Sequence, residues 1–473
     1  MNTKLFFGIW FLVFGSFFVQ AQIVNIPDAN FKNALVSSLC VDLNDDGIPD
    51  IDADINNDGQ IQVSEAIAAP SLYISNKNIS DLTGIESFVN IEVLDCHNNN
   101  ITILNLSQNT DLTFVSAYRN SIISLDVSNC GNLLKLWVDN NELTTIDVSN
   151  NTQLQNFACS FNQLNTIDIS NNTQLEIFAA GWNLLTEVDI SSNPLLVSIG
   201  IDGNQISQLD VSLQPNLLAI YCSNNLISTI DTSNNPLLFA FWCFSNQITS
   251  FDLSQNLNLE IFICSDNQLT EIDVSQNLLL RSFECSLNQI TTLDLSNLLF
   301  LESFACYSNQ ITQLDLSMMP GLYATAVHDN DLRYLSIQNG NNVNMTSMIA
   351  NDNPNLECIE VDDIAYANAQ ICDFPNFLGW CKDETASYSE FCELGVEDFT
   401  ANEIVLYPNP TKNLLTLQTE LLIEKAVVYN LQGISVKEFN NTKTLEVSEL
   451  SQGMYFVEIH SEEKKQIQKF IKI

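Results

Sequence analysis

Positive charge is what this 473-residue chain lacks most: 16 Lys and Arg stand against 57 Asp and Glu, for a net charge of −41. Without a basic footprint, nucleic-acid binding through phosphate contacts is excluded, and docking on anionic lipid is disfavoured. Charge of either sign is scarce, at 15% of residues against roughly 25% in an average globular protein. There are only three histidines, His97, His328 and His460, and none completes a nucleophile–base arrangement. Beyond the N-terminus no apolar run is long enough to span a bilayer. What the chain does contain is apolar: 46% hydrophobic residues, with 27 Phe, enough for a large core and too much for disorder. The charge is also unevenly spread. Residues 401–473 hold 8 Lys and 9 Glu, a net of −1, so the first 400 residues carry −40. That asymmetry implies two kinds of domain.

The chain opens with Lys4, an apolar run from Leu5 to Val19, and Gln20-Ala21-Gln22. This is the pattern of a cleaved signal peptide over residues 1–21, cut between Ala21 and Gln22. Export permits disulfides, but thirteen cysteines is an odd number. Cys358, Cys372, Cys381 and Cys392 cluster near residue 375 and allow three pairings; the nested one, Cys358–Cys392 around Cys372–Cys381, is favoured. A zinc site there would want CxxC pairs, which are absent. Seven others, from Cys96 to Cys306, fall in one repeat column, leaving Cys40 and Cys130 over.

The middle of the chain repeats every 21 residues. Asn recurs at twelve successive positions from Asn99 to Asn330, Ser at eleven from Ser107 to Ser317, and Asp at ten from Asp126 to Asp315. One unit reads Leu154-x-x-Phe157-x-Cys159-x-x-Asn162-x-Leu164-x-x-Ile167-Asp168-Ile169-Ser170-x-Asn172. Positions 4 and 6 of the unit are apolar and alternate with variable residues, as a short strand with one buried face requires. Stacked in register, position 4 makes a spine of Phe and Ile, and position 6 a column of small buried thiols. The Asn at position 9 can donate and accept at once, and so satisfy buried backbone groups between turns. Asp at position 15 and Ser at 17 share the more exposed side, where each Asp is expected to accept from turn amides or its Ser; cation recruitment by this column is the rival expectation.

The order LxxLxLxxNxL, with Phe and Cys at two of the leucine places, resembles the leucine-rich repeat family over residues 82–357. The resemblance implies a strand-rich α/β-type solenoid whose strands line a concave face. A parallel β-helix of a polysaccharide-active enzyme is compatible with the coil length, but the Asn position and the scattered Arg119, Lys135, Arg281 and Arg333 do not support it. On the concave face, positions 5, 7 and 8 carry Trp137, Tyr221 and Trp242; Tyr118, Phe244 and Tyr307; and Phe161 and Trp182. So many aromatics on an exposed face predict a binding surface for protein or glycan. Partial packing of the rings on one another is the alternative.

Residues 22–81 read as an N-terminal cap. Phe31, Ala34, Leu35 and Leu39 fall on one helical face, and Asp54-x-Asn56-x-Asp58-Gly59-x5-Glu65, with Gln60 first among the five, is shared by residues 54–65 with EF-hand loops. Asp54, Asn56, Asp58, the Gln60 carbonyl and Glu65 are the expected ligands of a structural Ca2+. Asp42-x-Asn44-x-Asp46-Gly47 begins a second loop that has Ala53 where the closing Glu belongs. The opening Val24-Asn-Ile-Pro-Asp-Ala-Asn-Phe31 and the Cys-rich stretch 358–396 resemble the caps of surface leucine-rich proteins from Bacteroidetes.

From about residue 397 the period is gone. Six short alternating segments, separated by Pro408-Asn409-Pro410, Gln432-Gly433 and Gln452-Gly453, predict an all-β sandwich. Tyr407-Pro408-Asn409-Pro410, Tyr429-Asn-Leu-Gln-Gly433, Leu450-Ser-Gln-Gly-Met-Tyr455 and Lys469-Phe-Ile-Lys-Ile473 resemble the type A sorting domain of type IX secretion. The resemblance implies handling by that secretion machinery and a place outside a Gram-negative cell, released or at the outer-membrane surface. Together these readings predict an exported recognition or adhesion protein that catalyses nothing and is not an integral membrane protein, with a polysaccharide-active enzyme or a purely structural surface protein as alternatives.

Overall fold

Each 21-residue unit contributes one three-residue strand whose middle side chain, position 4, is buried. The computed structural model describes residues 22–376, 378–392, 404–419, 421–430, 434–461 and 465–473, in two compact units that divide at Cys392. The signal peptide with Ala21, residues 393–396 of the C-terminal cap and the Gln432-Gly433 turn lie outside the described residues.

In the first unit the strands stack into a 16-stranded sheet, parallel from Ser71–Tyr73 to Leu378–Lys382 and closed by the antiparallel strand Cys372–Asp373. Phe241, Phe262, Phe283 and Phe304 stand directly opposite one another in the register, with ring centroids 5.6 to 5.8 Å apart. No single turn can bury its own Phe, so stability comes from neighbours. The last turn is covered by the cap, in which Trp380 is buried and donates its indole N–H to the Met345 carbonyl (3.1 Å). The two bridges there are Cys358–Cys392 and Cys372–Cys381. At the two ends of the stack positions 13–15 also pair, giving small parallel sheets of two and four strands on the other side of the coil. Helices are few and short: Ala29–Ser37, Val63–Ala68 and Ile364–Asn368. The first buries Phe31, Ala34 and Leu35, but it ends at Ser37, so Leu39 leaves the apolar face and is 62% exposed.

Two Asn ladders bind turn to turn. At position 9, Asn162 accepts from the Leu143 amide (3.0 Å) and donates to the carbonyls of Val138 and Cys159 (2.9 and 3.0 Å), a pattern repeated along the stack. Asn353 extends this ladder one turn past the strict spacing. At position 19 a second, fully buried ladder donates to two carbonyls of the preceding turn, as Asn172 does to Val148 and Asn151. Cys130 occupies a rung of it, with its sulfur 3.4 Å from the Leu106 carbonyl. All nine free cysteines are buried, and burial pushes their thiols up, that of Cys40 to about 12. A small apolar group is what the stack uses at these places.

The Asp column sits on the exposed side, and each Asp from Asp126 to Asp315 accepts from the amide of the Ser two residues on, at 2.9 to 3.0 Å. The Ser hydroxyl and amide hold Asp168, Asp189 and Asp210 below the ordinary 3.8, and for Asp189 and Asp210 this outweighs repulsion from neighbouring Asp residues of the column. A depressed folded pKa means that the stabilisation is complete above pH ~4 and is lost only as pH falls through the lower, folded value. Ser170→Ala, Ser191→Ala and Ser212→Ala together are therefore expected to move the midpoint of acid unfolding, followed by circular dichroism, to higher pH. An unmoved midpoint contradicts this account.

The second unit is a sandwich. Val405–Tyr407, Leu414–Gln418 and Thr444–Glu446 form one antiparallel sheet; Ser435–Asn440, Ile423–Tyr429, Gly453–Ser461 and Lys465–Lys472 form the other. Leu415, Val428, Leu445, Val457 and Phe470 are among its core.

Candidate functional site: the aromatic concave face

Strand alternation turns positions 4 and 6 inward, so positions 3, 5 and 7 share the open face of the large sheet. Trp137 is half-buried, donates to the Asn156 side chain (3.1 Å) and meets Phe114 edge to face. Tyr221 and Trp242 meet edge to face at 5.3 Å. Tyr118 stacks on His97, and Tyr307 on His328, at opposite ends of the position-7 column. Phe244 is half-buried in the same column. Some of these rings therefore do pack on one another, as one of the two expectations held.

Position 8 is different from the strand position expected for it. It is the turn that follows the strand, and its residues adopt left-handed backbone, including Phe161 (φ +55°) and Trp182 (φ +54°). That region disfavours bulky side chains, at about 1–3 kcal/mol each. Yet Phe161 and Trp182 are 49% and 50% exposed, and they stack in parallel at 5.8 Å. The next residue in the column is Gly203, and a Cβ there would lie 2.5 Å from the Trp182 ring. Glycine is needed because the indole lies on its backbone. Between Trp137 and Tyr221 the floor at position 5 is small: Ala158, Ala179 and Gly200.

Sequence reasoning missed position 3, where Phe114, Ile177 and Ile261 add apolar surface. The period-two alternation that placed position 5 on this face also places position 3 there. It also passed over the carboxylates among the rings. Asp139 and Asp202, both at position 7, are half-buried and accept from the amides of Ser160 and Ser223 (2.8 and 2.9 Å). Burial raises both, and also Glu284 at position 5.

In the N-terminal loop, Gly59 makes the expected left-handed turn (φ +78°). Asp54 and Glu65 are only 3% and 6% exposed. Asp54 accepts from the amides of Asp58 and Gly59; Glu65 accepts from those of Asn56 and Gln62, which also caps the helix Val63–Ala68. Asn56 donates to Gln62, Asp58 accepts from Gln62, and the Gln60 side chain accepts from Lys32. Among the described residues no three acidic, His or Cys side chains converge as ligands would. The turn and the buried carboxylates suit a cation, while Glu65 is engaged by amides that a cation would have to displace.

In the sandwich, two distant motifs meet. Asn409 donates to the Lys469 carbonyl (3.0 Å) and accepts from the Ile471 amide (2.9 Å), so the Tyr407–Pro410 segment grips the last strand. The Tyr407–Pro408 and Asn409–Pro410 peptides are cis. Tyr455 bonds back to Ser451 and stacks on Phe470 of that strand.

Residues 405–473 match the family of secretion system C-terminal sorting domains. This part of the chain is a sorting domain. It places the protein outside the cell, secreted or at the outer-membrane surface, by way of type IX secretion. Among the described residues no helix is long and apolar enough to cross a membrane. The fold that precedes the sorting domain is that of leucine-rich repeat proteins. The functional domain of InlJ from Listeria monocytogenes, which includes a cysteine ladder, is 24% identical with TM-score 0.55, over 96% of this chain and 98% of that one. An internalin, InlF, also from Listeria monocytogenes, is 20% identical with TM-score 0.58, over 73% and 98%. The plant peptide hormone receptor RGFR1, in complex with RGF2, is 18% identical with TM-score 0.51, over 62% and 59%. None of the curated proteins matches the chain in sequence.

Proposed function

We propose that the protein, exported through its sorting domain, is a recognition module that binds a protein or glycan on the concave face and performs no chemistry on it. The observation that carries this reading is the solvent-exposed Phe161–Trp182 stack, held in a backbone conformation that costs energy and serves no core. Exposed aromatics ringed by polar groups supply most of the energy in many interfaces. RGFR1, of the same fold, is seen with its peptide RGF2. The carboxylates do not favour a glycoside hydrolase: the rows of Asp139 and Asp202 are three strands apart, about 14 Å at strand spacing, against roughly 5–9.5 Å in such enzymes. A glycan array and a pull-down with the full chain identify the partner class. Phe161→Ala and Trp182→Ala, combined with Trp137→Ala, Tyr221→Ala, Trp242→Ala and Phe244→Ala, are expected to abolish its capture with the far-UV spectrum unchanged. Retained capture sinks the assignment.

We further propose that residues 54–65 bind a structural Ca2+ through Asp54, Asn56, Asp58, the Gln60 carbonyl and Glu65, stiffening the cap against the first repeat. Buried carboxylates without a cation are costly, and bound calcium offsets that cost. Glu65→Gln is expected to weaken calcium binding by about tenfold or more in calorimetric titration. An unaltered affinity counts against the site.

A further inference from the structure

We propose that the concave face takes an extended, basic polypeptide segment whose Lys or Arg side chains pair with Asp139, Asp202 and Glu284 between the aromatic rings. This rests on the concave face being the recognition surface and names the class of partner. Each of the three carboxylates lies among rings and other apolar side chains. Asp139 is two residues from Trp137 in its own row and next to the column of Phe161 in the following one. Asp202 lies between the rows of Trp182 and Tyr221. Glu284 follows Ile263 in the position-5 column, and its charge adds to the burial that pushes the Tyr307 hydroxyl up.

None of them has an ion-pair partner among the described residues. Arg119 and Lys135, in the row before Asp139 and in its own row, make no ion pair with it; between residues 136 and 332 the only Lys or Arg is Arg281, and its guanidinium is taken by Glu260 and Glu302. Asp139 and Asp202 each accept a backbone amide, and the Glu284 carboxylate has no hydrogen-bond or ion-pair partner among the described residues. Burial without a counter-charge disfavours all three carboxylates, which a ligand cation would relieve. A cation at these places would also gain from aromatic rings in the neighbouring rows. The −40 carried by the first 400 residues steers a basic partner in and turns away an anionic one.

The spacing favours an extended chain running across the strands. The row of Asp202 is three strands from that of Asp139 and four from that of Glu284. At strand spacing these steps are about 14 and 19 Å, or about four and six residues of extended polypeptide. The small floor of Ala158, Ala179 and Gly200 leaves room for such a backbone.

The test uses the full chain and a fluorescein-labelled Gly/Ser peptide with three Arg, about four and about six residues apart. A second peptide carries the same three Arg side by side. Asp139→Asn, Asp202→Asn and Glu284→Gln combined are expected to weaken binding of the spaced peptide by about tenfold or more. Asp168→Asn, Asp189→Asn and Asp210→Asn combined remove the same charge from the outer column and are expected to leave it unchanged. Equal losses in both variants, equal binding of both peptides, or no binding of the spaced peptide overturn the proposal. Capture of a neutral oligosaccharide such as cellohexaose that needs Trp182 and Trp242 but not the three carboxylates overturns it too, while leaving the concave face as the recognition surface. If neither ligand class is sensitive to Trp182→Ala with Trp242→Ala, the recognition surface itself is refuted.

Discussion

Deletion of residues 398–473 is expected to leave the protein in the periplasm, with none at the cell surface or in the medium. The matched domain covers residues 405–473, and its last strand is held from two directions. Asn409 bonds one edge of the strand at Lys469 and Ile471, Thr411 exchanges backbone bonds with Ile471 and Ile473 along the same edge, and the strand Gly453–Ser461 pairs with the other. Tyr455 covers Phe470, whose ring is fully buried. A machinery that recognises the folded tail needs this strand in place. Asn409→Ala, which removes two of its hydrogen bonds, is therefore expected to reduce export without abolishing it, at about 0.5–1.5 kcal/mol for each bond lost. Cell fractionation with immunoblotting of periplasm, outer membrane and medium measures both. Normal surface display of the truncated protein refutes the sorting role.

The largest single-residue effect on stability is expected at the Phe spine. Phe262 lies between Phe241 and Phe283 and receives Phe251 edge-on at 5.2 Å. Phe262→Ala removes the apolar area and leaves a cavity that the flanking turns, tied by their own ladders, close only in part; the expected cost is about 3–5 kcal/mol. Asn267→Ala, five residues on in the same repeat, removes the acceptor for the Ile248 amide and the donor to the carbonyls of Cys243 and Cys264. Its expected cost is smaller, about 1–3 kcal/mol. In a stack held by neighbour contacts, either change weakens two interfaces at once. Urea unfolding followed by tryptophan fluorescence and circular dichroism ranks the two. A Phe262→Ala protein as stable as the parent contradicts a packing-driven solenoid.

Much of the fold was legible because repetition amplifies local rules. A single Phe157-x-Cys159 pair is weak evidence for a strand, but the same pair in register over many turns leaves one solution: alternate residues inward, Asn at the turn, neighbours stacked. The nested bridges of the cap stand where the clustered cysteines placed them. Leu39 shows where local reading stops: it fits the helical periodicity of Phe31 and Leu35, yet the helix has ended and the chain is already entering the acidic loop. The site was half legible. Aromatic excess marked the face, and no pattern in one repeat announces that position 8 is a left-handed turn or that Gly203 makes room for an indole from the previous turn.

Composition, period and motif order by themselves determined that this protein is an exported, acidic, stacked solenoid with a separate sorting tail, because each of those properties is set by which residues recur at which spacing. Which rings touch, which carboxylates lie among them without a cation, and which distant segments grip the last strand were decided only by tertiary structure. Those relations join residues a full turn or more apart, as Trp182 with Gly203 and Asn409 with Ile471. Burial and charge at such places depend on the neighbouring turn rather than on the residue itself.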